Sequence, residues 1–367
     1  MRKRPTFRPN FWMATVLLLA PLALPVTTHA QFQNGQQAIT IDLPETSQRA
    51  VVVQRIGLTD VTIVYHRPLA GDRDVWKVAA PAGKVWRCGA NENTTIEFTD
   101  PVSIEGHPLA KGIYGLHMIP NADSWVVIFS KNHTSWGSFS YDEKEDALRV
   151  TVKPQPSEFE NALLYEFNDL RPDSAIATLR WAKVAVPFKV SVDVKTVALE
   201  DVRNQLRNIP GFTWAGWDEA ARYAMEQKDY DQALKWADRS ILAEQRYENL
   251  GTKSEILAAM GRKDEAEAAQ KLSIESATPL QLHLYARQLL AQKQPEKAYA
   301  VFRGNAEKHP EIWFTHVGLA RMYSAQGNFP EALKEAHKAL DLANDQQKPQ
   351  VETLIKRLEA NDDVNKS

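Results

Sequence analysis

A change of apolar rhythm partway along this chain predicts an α+β multidomain protein, with an antiparallel β-sandwich of jelly-roll type followed by an all-α helical solenoid. From about Arg49 to Lys195 the apolar residues recur every second position, the period of strands with one buried face. Beyond about Phe212 the period becomes 3.6. There Ala233, Ala266, Ala298 and Ala332 hold the same place in four similar blocks, 33, 32 and 34 residues apart. A repeat near 34 residues built from helix pairs is the signature of a solenoid, a scaffold that presents a surface.

The chain opens with a basic head, Arg2, Lys3, Arg4 and Arg8, then an apolar run from Phe11 to Leu24, then Thr28-His29-Ala30. This is a secretory signal pattern with cleavage expected after Ala30. The run is shorter than the roughly 20 residues that span a bilayer. Residues 1–30 are therefore expected to be a signal peptide, 31–46 a flexible lead-in, and the mature protein exported, periplasmic or secreted, without a transmembrane segment. The formal net charge is −2. Loss of the four basic residues would make it −6, a balance that argues against nucleic acid as a partner. Apolar residues make up 44% of the chain, enough for real cores, so a disordered chain is excluded. Cys88 is the single cysteine, so no intrachain disulfide forms and packing alone must hold the fold.

The β-region is expected over 47–196. Val61, Ile63 and Tyr65 alternate with Thr62, Val64 and His66. Tyr114, Leu116 and Met118 share a face. Leu148, Val150 and Val152 alternate with polar residues, and Val184, Val186, Phe188, Val190 and Val192 make a long strand. Turn signals at Glu105-Gly106, Asn121-Ala122-Asp123 and Arg171-Pro172-Asp173 separate nine or ten such runs. Residues 197–211 read as a linker with a short helix over Leu199–Leu206, punctuated by Ile209-Pro210-Gly211. Four helix pairs and a capping helix follow over 212–360. In the first block Trp217, Ala221 and Ala224 share a helix face, Asp229-Tyr230 turns the chain, and Ala233 and Ala237 pack back. In the fourth block His316, Ala320, Tyr323, Phe329, Ala332, Ala336 and Ala339 repeat the scheme. Gly261 and Gly327 are placed to end first helices, and Pro349–Glu359 to close the stack.

The four blocks resemble tetratricopeptide repeats, most closely at Pro310–Leu342 and least in the second and third, where Leu250 and Leu282 stand at a usually aromatic position. The resemblance covers about 212–345 and implies a concave groove that holds peptides or helices. The β-region carries Gln54-Arg55-Ile56-Gly57, Val61 to Pro68, the run Val85-Trp86-Arg87-Cys88-Gly89-Ala90-Asn91-Glu92-Asn93-Thr94-Thr95-Ile96, Gly112 to Pro120, Trp136-Gly137 and Tyr141-Asp142. In these it resembles the domain of unknown function 2911 family, over about 45–190. That resemblance implies an exported bacterial protein and no known chemistry. The chain departs from the family's pattern at His66, Cys88 and His117.

Two constellations bear on function. Arg87, Asn91 and Glu92 beside Trp86, with Tyr65 and Arg67 from a neighbouring strand, combine aromatic and planar polar groups in the manner of a sugar or peptide site. The competing account is structural: Asn and Gly turn the chain, Arg pairs with Glu, and Trp fills the core. In the helical region, Arg222, Glu255, Arg287 and Arg321 stand eleven residues before the four marker alanines. In tetratricopeptide-like stacks this position faces the groove, so Arg222, Arg287 and Arg321 would clamp an acidic peptide. The competing account is a solvated face with intrahelical pairs such as Asp218 with Arg222.

His66, His107, His117 and His133, with Glu92, match no metal-ligand spacing, so neither metal nor cofactor is expected. His117 reads as a half-buried strand residue with one satisfied nitrogen. Cys88 reads as a small buried residue. His-Glu-x-x-His, Gly-x-Ser-x-Gly, P-loop and dinucleotide-binding patterns do not occur. The reading is an exported, non-enzymatic scaffold whose solenoid recruits a protein or peptide. The alternatives are an envelope enzyme or glycan- or peptide-binding module with its site near Trp86–Glu92, and a purely structural scaffold. Oligomeric state has no signature in the chain.

Overall fold

The computed structural model describes residues 44–366. The expected signal peptide, its cleavage site and nearly all of the lead-in lie outside the described residues.

Ten strands are described: β1 (Gln48–Ile56), β2 (Thr59–Arg67), β3 (Thr95–Phe98), β4 (Val102–Ile104), β5 (His107–Leu109), β6 (Gly112–Ile119), β7 (Trp125–Ser130), β8 (Asp146–Val152), β9 (Gln155–Arg171) and β10 (Ser174–Ser191). They form an antiparallel six-stranded sheet in the order β1-β2-β3-β6-β7-β8 and an antiparallel four-stranded sheet in the order β5-β4-β10-β9. Both sheets contribute to one core, with Ile63, Ile96, Leu116 and Phe129 from the first and Ile104, Leu163, Trp181 and Phe188 from the second. Every second side chain of β2 from Thr59 to Tyr65 is buried, as alternation requires. The three turn signals fall between β4 and β5, β6 and β7, and β9 and β10. Glu105 and Gly106 both have positive φ, the conformation a two-residue hairpin turn needs.

Between β2 and β3 the chain leaves the sheet. A single helical turn, α1 (Val75–Val78), carries Trp76 into a cluster of four indoles. Trp76 is edge-on to Trp86, Trp125 and Trp181 at 6.1, 5.1 and 5.7 Å, and Trp86 stacks on Trp181 at 5.7 Å. Such geometry adds to the large apolar burial of each ring.

The helical part begins with α2 (Val194–Gln205), capped by the Asp193 carboxylate, and a 3-10 turn over Ile209–Phe212. Residues 197–211, expected as a linker, thus continue a helix with two attachments. Val194 and Val197 pack on the β core, while Leu199 and Leu206 enter the core of the first helix pair. The pairs are α3 (Trp214–Glu226) with α4 (Tyr230–Ala243), α5 (Tyr247–Ala259) with α6 (Lys263–Ser276), α7 (Pro279–Ala291) with α8 (Pro295–Lys308), and α9 (Trp313–Ala325) with α10 (Phe329–Leu342). The helix α11 (Lys348–Glu359) packs on the last pair. All four marker alanines are buried.

The residue five before each alanine takes a left-handed conformation that ends the first helix. Gly261 and Gly327 do so freely, Lys228 and Lys293 against their Cβ. Seven residues after the alanine, Ser240, Ser273 and Asn305 each donate a 2.8 Å hydrogen bond to the carbonyl of the first residue of the preceding helix, at Trp214, Tyr247 and Pro279. This repeated clasp ties each pair's second helix to the start of its first. In the fourth block the position is Ala339. No helix among the described residues is long and apolar enough to cross a membrane.

Candidate functional site

The segment after β2 and the loop before β3 bring the β-region candidates into one neighbourhood, but not to one purpose. Tyr65 is sealed in the core. Its hydroxyl accepts the Tyr165 backbone N–H at 3.1 Å and the two rings meet edge-on at 4.8 Å. Arg67 is committed to the Leu163 carbonyl at 2.9 Å. Trp86 is buried in the indole cluster and exchanges backbone hydrogen bonds with Met118. The loop that follows is held by its own geometry. Cys88 and Asn91 have positive φ. A Cβ at Gly89 would lie 2.6 Å from the Thr94 hydroxyl, so the close approach demands glycine. The Cys88 carbonyl accepts from Thr94 and Tyr165. Burial pushes the Cys88 thiol well above its ordinary range, which makes it an inert buried residue and not a nucleophile.

Arg87 and Glu92 point elsewhere. Glu92 pairs with His66 at 3.3 Å. The Arg87 guanidinium lies 5.5 Å over the Trp136 ring, and burial lowers its pKa against the opposing pull of Glu92. Trp136 stacks on Phe139, with ring centroids 6.0 Å apart, and both are exposed, by 59% and 83%. The loop between β7 and β8 thus presents two aromatic faces beside the arginine. Trp86 and Arg87, but not Tyr65, Arg67, Asn91 or Glu92, line a cavity of about 550 Å³.

The four histidines go separate ways. His66 meets Glu92. His117, on β6, is buried with its Nδ1 on the Ser138 hydroxyl at 3.0 Å and its ring against Tyr141. His107 is in β5 of the other sheet, and His133 follows β7. Burial, against a weaker contrary pull from Asp146, brings the His117 pKa down to about 4.

In the helical array the arginines stand at the same position of α3, α7 and α9, with Glu255 at that position of α5, and their engagement is uneven. Arg222 is exposed and pairs with Asp218 one turn earlier at 2.9 Å. Arg287 is exposed. Arg321 is half-buried, its pKa lowered by burial and then by the charges of Arg287 and Arg357. It donates to the Val364 carbonyl at 2.8 Å, and the Asn365 amide donates to the Arg321 carbonyl at 2.9 Å. The Val364 N–H donates to the Ser324 hydroxyl at 3.1 Å, and the Val364 side chain is buried. The C-terminal segment therefore lies on the face that carries Arg321. Sequence reasoning did not single out this segment or the clasp residues. The clasp was open to detection as a polar residue seven places after each of three marker alanines.

Residues 47–190 match a family described as protein of unknown function, DUF2911. No curated protein matches the chain. Similar solved structures include YrrB, a TPR protein with an unusual peptide-binding site, at 12% identity and a TM-score of 0.27, covering 45% of this chain and 82% of that one. MamA from Desulfovibrio magneticus RS-1, residue 41 to its end, is 16% identical with a TM-score of 0.27, covering 39% and 82%. Yeast Tom70 is 17% identical with a TM-score of 0.25, covering 44% and 43%.

Proposed function

We propose that this chain, a DUF2911 region joined to a tetratricopeptide-like array, is an exported binding scaffold whose array recruits a protein or peptide partner. One observation carries the reading. The face with Arg321 and Ser324 already holds the chain's own Asp363–Asn365, part of a turn closed by the Lys366 N–H on the Asp363 carbonyl, through the Val364 backbone N–H and carbonyl, the Asn365 side-chain amide and the buried Val364 side chain. A surface that takes main-chain groups in this way suits peptide recognition, in which backbone bonds give affinity and side-chain pockets give selectivity. Arg287, exposed one repeat away, extends the basic character of the face, so an acidic or carbonyl-rich segment is the fitting partner. Export rests on the basic head, short apolar run and Thr28-His29-Ala30, and N-terminal sequencing of the native protein should begin at Gln31.

The test of recruitment uses the chain truncated after Ala360 and a synthetic Asn361–Ser367 peptide. The truncated protein should bind the peptide, more weakly as salt rises, since the Debye length falls from about 10 Å at 0.1 M to 3 Å at 1 M. Joint replacement of Arg287 and Arg321 by alanine should cost at least about tenfold, a charge-assisted hydrogen bond being worth roughly 1.5–3 kcal/mol. Absence of binding, or affinity unchanged in the double variant, would move the recognition face elsewhere.

A further inference from the structure

The cavity in the β-region is framed by donors. Trp181, fully buried in the indole cluster, lines it, and its indole N–H has no hydrogen-bond partner among the described residues. Arg87 lines it too, and its Nε is likewise buried without a partner among the described residues. Arg73 lines it as well, with its Nε donating to the Ala70 carbonyl and one terminal nitrogen to the Leu69 carbonyl. The described lining holds no carboxylate. Buried donors left unpaired are costly, and native proteins keep few of them, so two at one cavity call for an acceptor. The guanidinium is a planar fork suited to carboxylate or phosphate oxygens. The volume, about 550 Å³, falls in the range of small-molecule sites.

The second element is aromatic. Trp86 and Trp181 stack within the lining, and the Arg87 guanidinium reaches from the cavity to the exposed, stacked Trp136 and Phe139. Gly137 is fitted to this arrangement, since a Cβ there would lie 2.8 Å from an Arg87 terminal nitrogen. Exposed aromatic faces beside an arginine favour a ligand with a flat or ring-shaped body next to its anionic group.

We infer that the cavity lined by Trp86, Arg87 and Trp181 binds a sugar-sized organic anion, its carboxylate or phosphate on Arg87 and the Trp181 N–H and its ring against the Trp136 face. The inference is independent of the peptide face on the helical array.

The test is isothermal titration of the full mature chain with glucuronate, glucose 6-phosphate, glucose and inorganic phosphate, with indole fluorescence as a second signal. At least one of the two sugar anions should bind ten times or more tighter than glucose, and the stronger of the two identifies the anionic group. Arg87→Ala should weaken that ligand at least tenfold, and Arg87→Lys should recover only part of the loss, because it restores charge without the fork. Trp181→Phe, which removes the N–H and keeps an aromatic ring, should weaken it several-fold. Trp136→Ala, at an exposed position, keeps the test decisive if a core variant fails to fold, and it should weaken the sugar anion while leaving inorganic phosphate unchanged. Sugar anions binding no better than glucose, or affinity within threefold of the parent in Arg87→Ala or Trp136→Ala, would overturn the inference.

Discussion

His117 and His283 are imidazoles that burial drives toward the neutral form. His283, on α7 against Phe302 and Phe314, is brought to about 4 by burial first and then by the charges of Arg321 and Arg287. His117 reaches a similar value by burial alone, with Asp146 pulling the other way. In the unfolded chain each titrates near 6.5. Between those values the unfolded state binds protons that the folded state refuses, so stability is full above about pH 6.5 and falls as pH drops toward 4. Each histidine contributes on the order of 3 kcal/mol to that loss. Urea unfolding of the chain at pH 7.5 and 4.5 should show it, and His117→Gln with His283→Gln should flatten the dependence. An equal acid loss in the double variant would place its origin in other groups. The strand reading of His117 was legible from alternation. Its hydroxyl partner was not, because Ser138 lies on a loop 21 residues away.

At the scale of the element, the recurring unit is a helix pair closed by a polar clasp. Ser273 and Asn305 are buried, and their hydroxyl and amide each give a second hydrogen bond to the carbonyl of the first residue of α5 and α7. Ser273→Ala and Asn305→Ala should each cost about 0.5–1.5 kcal/mol by removing a second hydrogen bond to a carbonyl that the helix already pairs, measured from denaturant midpoints. A loss below about 0.5 kcal/mol would mean water replaces the clasp. The fourth block forgoes it at Ala339 and instead buries His316 against Glu335 at 2.6 Å, with Lys338 on the second carboxylate oxygen. The alanine spacing announced the repeats because close helix packing needs a small residue at one fixed site. It did not announce which polar group holds each pair shut.

At the scale of the molecule, α2 decides how the described parts depend on each other. Val194 crowds Gly57 at the β1–β2 turn, where a Cβ would come within 2.8 Å of it, while Leu199 and Leu206 are buried with α3 and α4. Two buried leucines are worth about 1.5–3 kcal/mol each. A fragment 212–367 should therefore be less stable than 194–367 by roughly 3–6 kcal/mol, and melt correspondingly lower, about 2–4 °C for each kcal/mol. Equal melting temperatures would make α2 a passive connection.

By itself the amino-acid sequence determined the succession of strand and helix regions, the helix-pair repeat and the burial of its alanines, because apolar period is a local property imposed by backbone geometry. It also brought Trp86 and Arg87 forward as notable. Only the tertiary structure decided their roles. It sealed Tyr65 under Tyr165, gave Arg67 to a strand carbonyl and Glu92 to His66, and set Arg87 between a cavity and Trp136. It also laid the C-terminal segment on Arg321. Each of these pairs joins residues distant in sequence, or turns on which way a loop side chain points, and neither leaves a period to read.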